Sequence, residues 1–181
     1  GWVEHQQLFS SNPTYLGVFG HRVAITEDHA FVIDEHGEAD STTYAFHKNP
    51  ATNEWIEIDT IVADGDGLHY DKFDISGDTA IFSLYSHDKA YIYNFNGTEW
   101  VKTNVLEPID VGFDAVGEWH NFGYDISIGD DTVVISDASL DSYPNGYGEP
   151  GSVQDTGGVY VYNLDKASFV PNYEEICSYM L

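Results

Sequence analysis

Positive charge is what this chain lacks most. Six Lys and Arg stand against 31 Asp and Glu, a formal net charge of −25. Nucleic acid and anionic membranes both reward positive charge, so neither is expected as a partner. Three readings of the acidity remain: a surface that stays dispersed in a salty external medium, binding of divalent cations, or a basic protein partner. Cysteine is nearly absent as well. Cys177 stands alone, which rules out an internal disulfide; it pairs outside this segment or stays a free thiol. No CxxC or zinc spacing is present. No apolar run nears the ~18 residues of a membrane span. Nucleophile elbow, phosphate loop and His-Glu-x-x-His are all missing. A signal peptide is missing too. Gly1-Trp2-Val3 opens inside a motif that recurs downstream, so the chain is expected to begin within something longer.

Aromatic residues are plentiful: 13 Tyr, 10 Phe and 4 Trp. They suit pleated, half-buried strands, and they exclude a disordered chain. They also recur. Phe19 to Ile33, His69 to Ser83 and Phe122 to Ser136 align as three copies of one segment. Each reads as two short strands around a polar turn: Thr26-Glu27-Asp28, Ser76-Gly77-Asp78 and Gly129-Asp130-Asp131. A third strand follows at Thr43–Phe46, Ala90–Tyr93 and Val159–Tyr162. A fourth begins at Trp55, at Trp100 and, more weakly, at Phe169-Val170. Asn96-Gly97-Thr98 between two of these strands is a strong hairpin signal, read as a type I′ turn. Trp2 to Leu8 matches the fourth strand, with Trp2, Trp55 and Trp100 equivalent.

Four strands in about 50 residues is the blade pattern of a β-propeller. The expected fold is therefore all-β, with antiparallel four-stranded blades. Residues 1–13 hold the last strand of a preceding blade and a linker. Blade 1 spans 14–61, blade 2 spans 62–106, and blade 3 spans 107–172 with a long insertion at 137–155. Residues 173–181 form a tail outside the repeat. Trp2, Phe19, Gly20, Trp55, Trp100, Phe122 and Gly123 are assigned to blade packing, because each blade buries two faces against its neighbours.

The pattern resembles the FG-GAP repeat of integrin α-subunit propellers and many secreted proteins. Phe122-Gly123-Tyr124, Gly129–Ile135 and Gly157–Tyr162 carry the closest match. The first copy keeps Phe19-Gly20; the second is read with His69-Tyr70 in that place. Kelch repeats are the nearest competitor, through Gly157-Gly158, Tyr162 and Phe169. Integrin-type blades hold a calcium loop between their first two strands. Here that position has only tight turns, too short for a cation needing six to eight oxygens. The resemblance is thus to the calcium-free variety, and no cofactor is implied.

Candidate sites lie in the connections. Asp64, Asp66 and Asp71 form an Asp-Gly stretch that offers oxygens to a cation, or serves as a solvated turn; His69 is the one histidine beside it. In the insertion, Asp141, Tyr143, Tyr147 and Asp155 could face a sugar or protein partner, or pack over a blade edge. Asn96-Gly97-Thr98 is also an N-glycosylation sequon. Ser86-His87-Asp88-Lys89 matches Ser-x-x-Lys but sits before a strand, where no catalytic helix is expected.

These features point to a non-enzymatic extracellular or cell-surface module, structural or adhesive, in a surface filament or a larger secreted protein. Its partners would be other blades of a longer chain or neighbouring chains, including copies of itself in a ring or fibre. The alternative is a propeller that recognises carbohydrate or protein through its loops.

Overall fold

A computed structural model describes residues 1–13, 15, 17–35, 41–63, 70–108, 121–139 and 157–164. These form β1 (Val18–Ile25), β2 (His29–Glu35), β3 (Ser41–Lys48), β4 (Trp55–Ile61), β5 (Lys72–Ser76), β6 (Thr79–Leu84), β7 (Lys89–Phe95), β8 (Trp100–Leu106), β9 (Phe122–Gly129), β10 (Thr132–Asp137) and β11 (Gly158–Asn163). A single 3-10 turn, Tyr85–His87, interrupts them. Three antiparallel sheets result, ordered β1-β2-β3-β4, β5-β6-β7-β8 and β11-β10-β9. The fold is all-β, and its complete sheets are four-stranded. The fourth strand expected at Phe169-Val170 lies outside the described residues.

The sheets pack face to face. Phe31 and Ala45 of the first meet Phe82, Tyr91, Tyr93 and Trp100 of the second. Ile81, Ile92 and Leu106 on the other face of the second meet Phe122, Ile126, Val133 and Ile135 of the third. Covered on both faces, the middle sheet reads as continuous apolar runs, Ala80-Ile81-Phe82 and Ala90-Tyr91-Ile92-Tyr93, rather than as strict alternation.

Each sheet repeats the same internal contacts. Phe19 packs edge-on against Tyr44 and Phe46, with centroids 5.6 and 6.4 Å away. Phe122 does the same with Tyr160 and Tyr162, at 5.2 and 6.4 Å. In the second sheet the place is taken by Tyr70, 5.6 and 6.3 Å from Tyr91 and Tyr93. His69 is therefore not the counterpart of Phe19 and Phe122; Tyr70 is. The slip has a backbone cause. Gly20 and Gly123 adopt φ of +93° and +91°, within register shifts that bulge β1 and β9. The second copy has no such glycine, and Tyr70 stands one residue nearer its turn than Phe19 and Phe122 stand to theirs. Positive φ at a bulge is the reason for glycine after the aromatic residue. A second shared contact closes each copy. The backbone carbonyls of Asp28, Asp78 and Asp131 accept the N–H groups of Lys48, Phe95 and Leu164.

The Asn96 hairpin differs from expectation. A type I′ turn needs positive φ at both central residues, but only Gly97 has it, at +100°. Asn96 instead precedes the bend, and its Oδ1 accepts the N–H groups of Thr98 and Glu99.

Residues 2–8 are not a strand, and Trp2 is fully exposed, contrary to its assignment to blade packing. Trp55 and Trp100 are covered by a sheet or segment lying in front of them; nothing among the described residues lies in front of Trp2. The segment still occupies a definite place. Leu8 packs on the outer face of the first sheet beside Phe19 and Trp55. The Gln6 side chain brackets the Trp55 backbone, accepting its N–H at 2.8 Å and donating to its carbonyl at 2.9 Å.

All three sheets point the same way. His29, opening β2, meets Asp78 in the β5–β6 turn, and Ser76 meets Asp130 in the β9–β10 turn. One end of the molecule thus carries the tight turns. The other carries the three longest connections, 62–71, 107–121 and 138–157, together with 36–40.

Candidate functional site

Of the sequence-predicted residues in the connections at the long-connection end, most fall outside the described residues. Asp64, Asp66 and His69 belong to the 62–71 connection, and Asp141, Tyr143, Tyr147 and Asp155 to the 138–157 connection. Of the proposed cation ligands only Asp71 is described. Its Oδ2 accepts the Tyr85 N–H at 2.9 Å, and its own N–H donates to the Ser83 carbonyl. Among the described residues no three acidic, His or Cys side chains converge as a metal would require.

Between the first two sheets at this end lies a pocket of about 60 Å³, lined by His21, Arg22, Ile33, Glu35, Ser41, Tyr70 and Asp71. The His21 ring pairs with Glu35. The Tyr70 hydroxyl meets that of Tyr93 at 2.8 Å. Arg22 is the chain's only arginine, and its buried Nη1 has no hydrogen-bond partner among the described residues. The space suits a few waters around that nitrogen; a small-molecule site needs about 300 Å³ or more.

Ser86 and Lys89 do not form a catalytic pair. Ser86 sits on the 3-10 turn and bonds the His87 ring, while Lys89 Nζ is held by Glu107 at 2.9 Å. That carboxylate raises the Lys89 pKa above its ordinary value, through a hydrogen bond and its charge. A general base needs the opposite shift.

At the tight-turn end, Asn96 is exposed, as a modified asparagine must be. The same end holds polar contacts between sheets that sequence reasoning missed. Asp74 Oδ2 accepts the Ile128 N–H at 2.9 Å and the Ser127 hydroxyl at 3.0 Å. Asp59 Oδ2 accepts the Trp100 N–H at 2.9 Å. His29 is buried against His47, Phe95 and Trp100, with ring centroids 4.8, 4.6 and 5.0 Å away. Its Nε2 meets Asp78 Oδ1 at 3.0 Å. Burial lowers its pKa, and the Asp78 hydrogen bond offsets this only in part. One sequence signal was available: the other copies have Thr79 and Thr132 where His29 stands.

Of the assigned packing residues, Trp100 and Phe122 are buried. Phe19 and Trp55 are half-buried on the outer face of the first sheet. Gly20 is exposed, and Gly123 is buried, pressed toward Ser83.

Two sheet faces remain open. Ile75 and Ile128 are buried against the preceding sheet; their counterpart Ile25 is 67% exposed. Phe31 and Ile81 are buried against the following sheet; their counterpart Val134 is 39% exposed, and Val159 and Val161 beside it are also exposed. The chain matches no family model, no curated protein and no solved structure.

Proposed function

We propose that this chain is a set of β-propeller blades of the FG-GAP type without the calcium loop, acting as a non-enzymatic structural or adhesion module outside the cell. The observation that carries the reading is the triple recurrence of one packing unit: an aromatic anchor on two third-strand rings, closed by a turn-aspartate carbonyl. The backbone approaches between sheets support a fan of blades, because each involves a first strand: β5 and β6 with β9 most of all, then β1 with β5 and β7 with β9. Such an arrangement draws first strands toward an axis and spreads fourth strands outward. The polar groups at its joints are spent on holding sheet to sheet, and the acidic surface suits an external medium.

The recognition alternative rests on Tyr143 and Tyr147 in the long insertion. A glycan and protein array separates the two readings. A structural module gives no saturable signal with any soluble ligand. A saturable glycan signal lost in Tyr143→Ala/Tyr147→Ala would replace the structural reading with the recognition one.

A further inference from the structure

We propose that the joint between the first and second sheets is a pH-operated contact. Protonation of the His29–His47 pair in mildly acidic solution loosens it, while the joint between the second and third sheets stays closed.

The warrant begins with a comparison of the three sheets. Each sets one pair of residues face to face across its second and third strands, just inside the closing hydrogen bond of the turn aspartate. The pairs are His29 with His47, Thr79 with Asn94, and Thr132 with Asn163. The last two are joined by neutral hydrogen bonds. Asn94 Nδ2 donates to Thr79 Oγ1 at 2.9 Å, and Thr132 Oγ1 donates to Asn163 Oδ1 at 3.4 Å. Neither pair titrates. The first sheet has two imidazoles at the same place, with centroids 4.8 Å apart.

Both imidazoles face the second sheet. Phe95 stacks on His47 at 5.5 Å and, with Trp100, meets His29 edge-on. A carboxylate only accepts, so the contact of His29 Nε2 with Asp78 Oδ1 places the hydrogen of the neutral ring on Nε2. A second proton therefore goes to Nδ1. That atom is buried and has no hydrogen-bond partner among the described residues; His47 Nδ1 is in the same state. Few charges face the His29 ring. Asp78 from the β5–β6 turn and Asp28 from its own turn favour the cation, and His47 from β3 opposes it. Lys48, next on β3, lies over the Trp55 ring instead. Asp59 of β4 is turned to the Trp100 N–H. From β7 and β8 come only the uncharged rings of Phe95 and Trp100. Asp78 is 74% exposed, so water screens much of its charge. Burial outweighs these carboxylates and lowers the His29 pKa.

The sign follows. With the joint open, His29 reaches water and takes up its proton first as pH falls, so acid favours opening below about pH 6.5 and has no effect above it. Opening bares Phe31, Phe82 and Trp100, which are buried between the two sheets. The polar contacts of the second joint contain no histidine: Asp74 with Ile128 and Ser127, and Ser76 with Asp130.

Two backbone N–H groups read the joints separately. Trp100 donates to Asp59 across the first, and Ile128 donates to Asp74 across the second. Hydrogen-exchange protection factors, which divide out the direct effect of pH on exchange, test the proposal on the full chain. From pH 7.5 to 5, Trp100 protection should fall by up to about 30-fold, and Ile128 protection by less than about 2-fold. In His29→Thr/His47→Asn, which installs the pair of the other sheets, Trp100 protection should lose this dependence. His29→Gln keeps a side-chain N–H for Asp78 without a titrating ring. It should remove most of the fall, and it serves if the double variant folds poorly. Trp100 protection that is constant with pH in wild type would overturn the proposal. So would equal falls at Trp100 and Ile128, which mean global unfolding, or a fall undiminished in the variants.

Discussion

Gly20 and Gly123 stand at the same place in two copies and share a positive φ near +90°, yet their surroundings differ. A Cβ on Gly20 meets nothing within 4 Å, whereas a Cβ on Gly123 meets the Ser83 Cβ at 2.9 Å. Alanine at either site incurs backbone strain of about 1–3 kcal/mol. That loss exceeds the ~0.4–1 kcal/mol saved in the unfolded chain. Gly123→Ala adds overpacking against a backbone-anchored atom, worth about 1–3 kcal/mol more. Urea denaturation should therefore place Gly20→Ala about 1 kcal/mol below wild type and Gly123→Ala about 2–5 kcal/mol below. With a slope of about 1–3 kcal/mol per molar urea, the two midpoints differ by roughly 1 M. Ser83→Gly removes the opposing atom. In the Gly123→Ala background it should return most of the additional loss, while in wild type it costs about 0.5–1 kcal/mol. Equal midpoints for the two alanine variants, or no coupling with Ser83→Gly, would refute the assignment of Gly123 to a close inter-sheet approach.

Two further tests address the joints. Because burial holds the His29 pKa below 6.5, the unfolded chain takes up the proton first as pH falls. His29 thus lowers stability progressively below about pH 6.5 and has no effect on it above. His29→Thr, the residue type of the other copies, should remove that component, and wild-type and variant urea midpoints that run parallel from pH 7.5 to 5 would contradict it. Asp74→Ala leaves the Ile128 N–H without its acceptor and should cost about 2 kcal/mol. Hydrogen exchange at Ile128 should accelerate, and Asp74→Asn should retain much of the protection; unchanged exchange in Asp74→Ala would show that the bond is unimportant.

The strands were legible because a local pattern, apolar residues at alternate positions around Gly and Asp turns, sets them. The spacing of the sheets followed from their repetition. The register of the second copy was not legible. His69 and Tyr70 are both aromatic, and the choice between them depends on a glycine bulge that the second copy lacks. Trp2 was aligned with Trp55 and Trp100, but its burial was misjudged, since burial depends on what stands in front of a segment rather than on the segment itself. Asp74, Asp59 and His29 were passed over because their partners lie 41 to 54 residues away. No local motif marks such pairs. Comparing the copies residue by residue would have exposed one of them, the threonine-to-histidine change at His29.

The segregation of turns from long connections has a consequence for how such a chain can change. The side chains that hold sheet to sheet through backbone N–H groups, Asp74, Ser76 and Asp59, are reached from strands and tight turns. Length added between β2 and β3, or between β10 and β11, enters at the opposite end and leaves those contacts in register. Loop insertion costs grow only slowly with length. One end of the molecule is thus free to acquire new surface by insertion and deletion, while a single added residue at the other would misalign two sheets at once. Grafted peptides or tags belong at residues 36–40 or 138–157, and the turns at 26–28, 77–78 and 130–131 should be left at their present length.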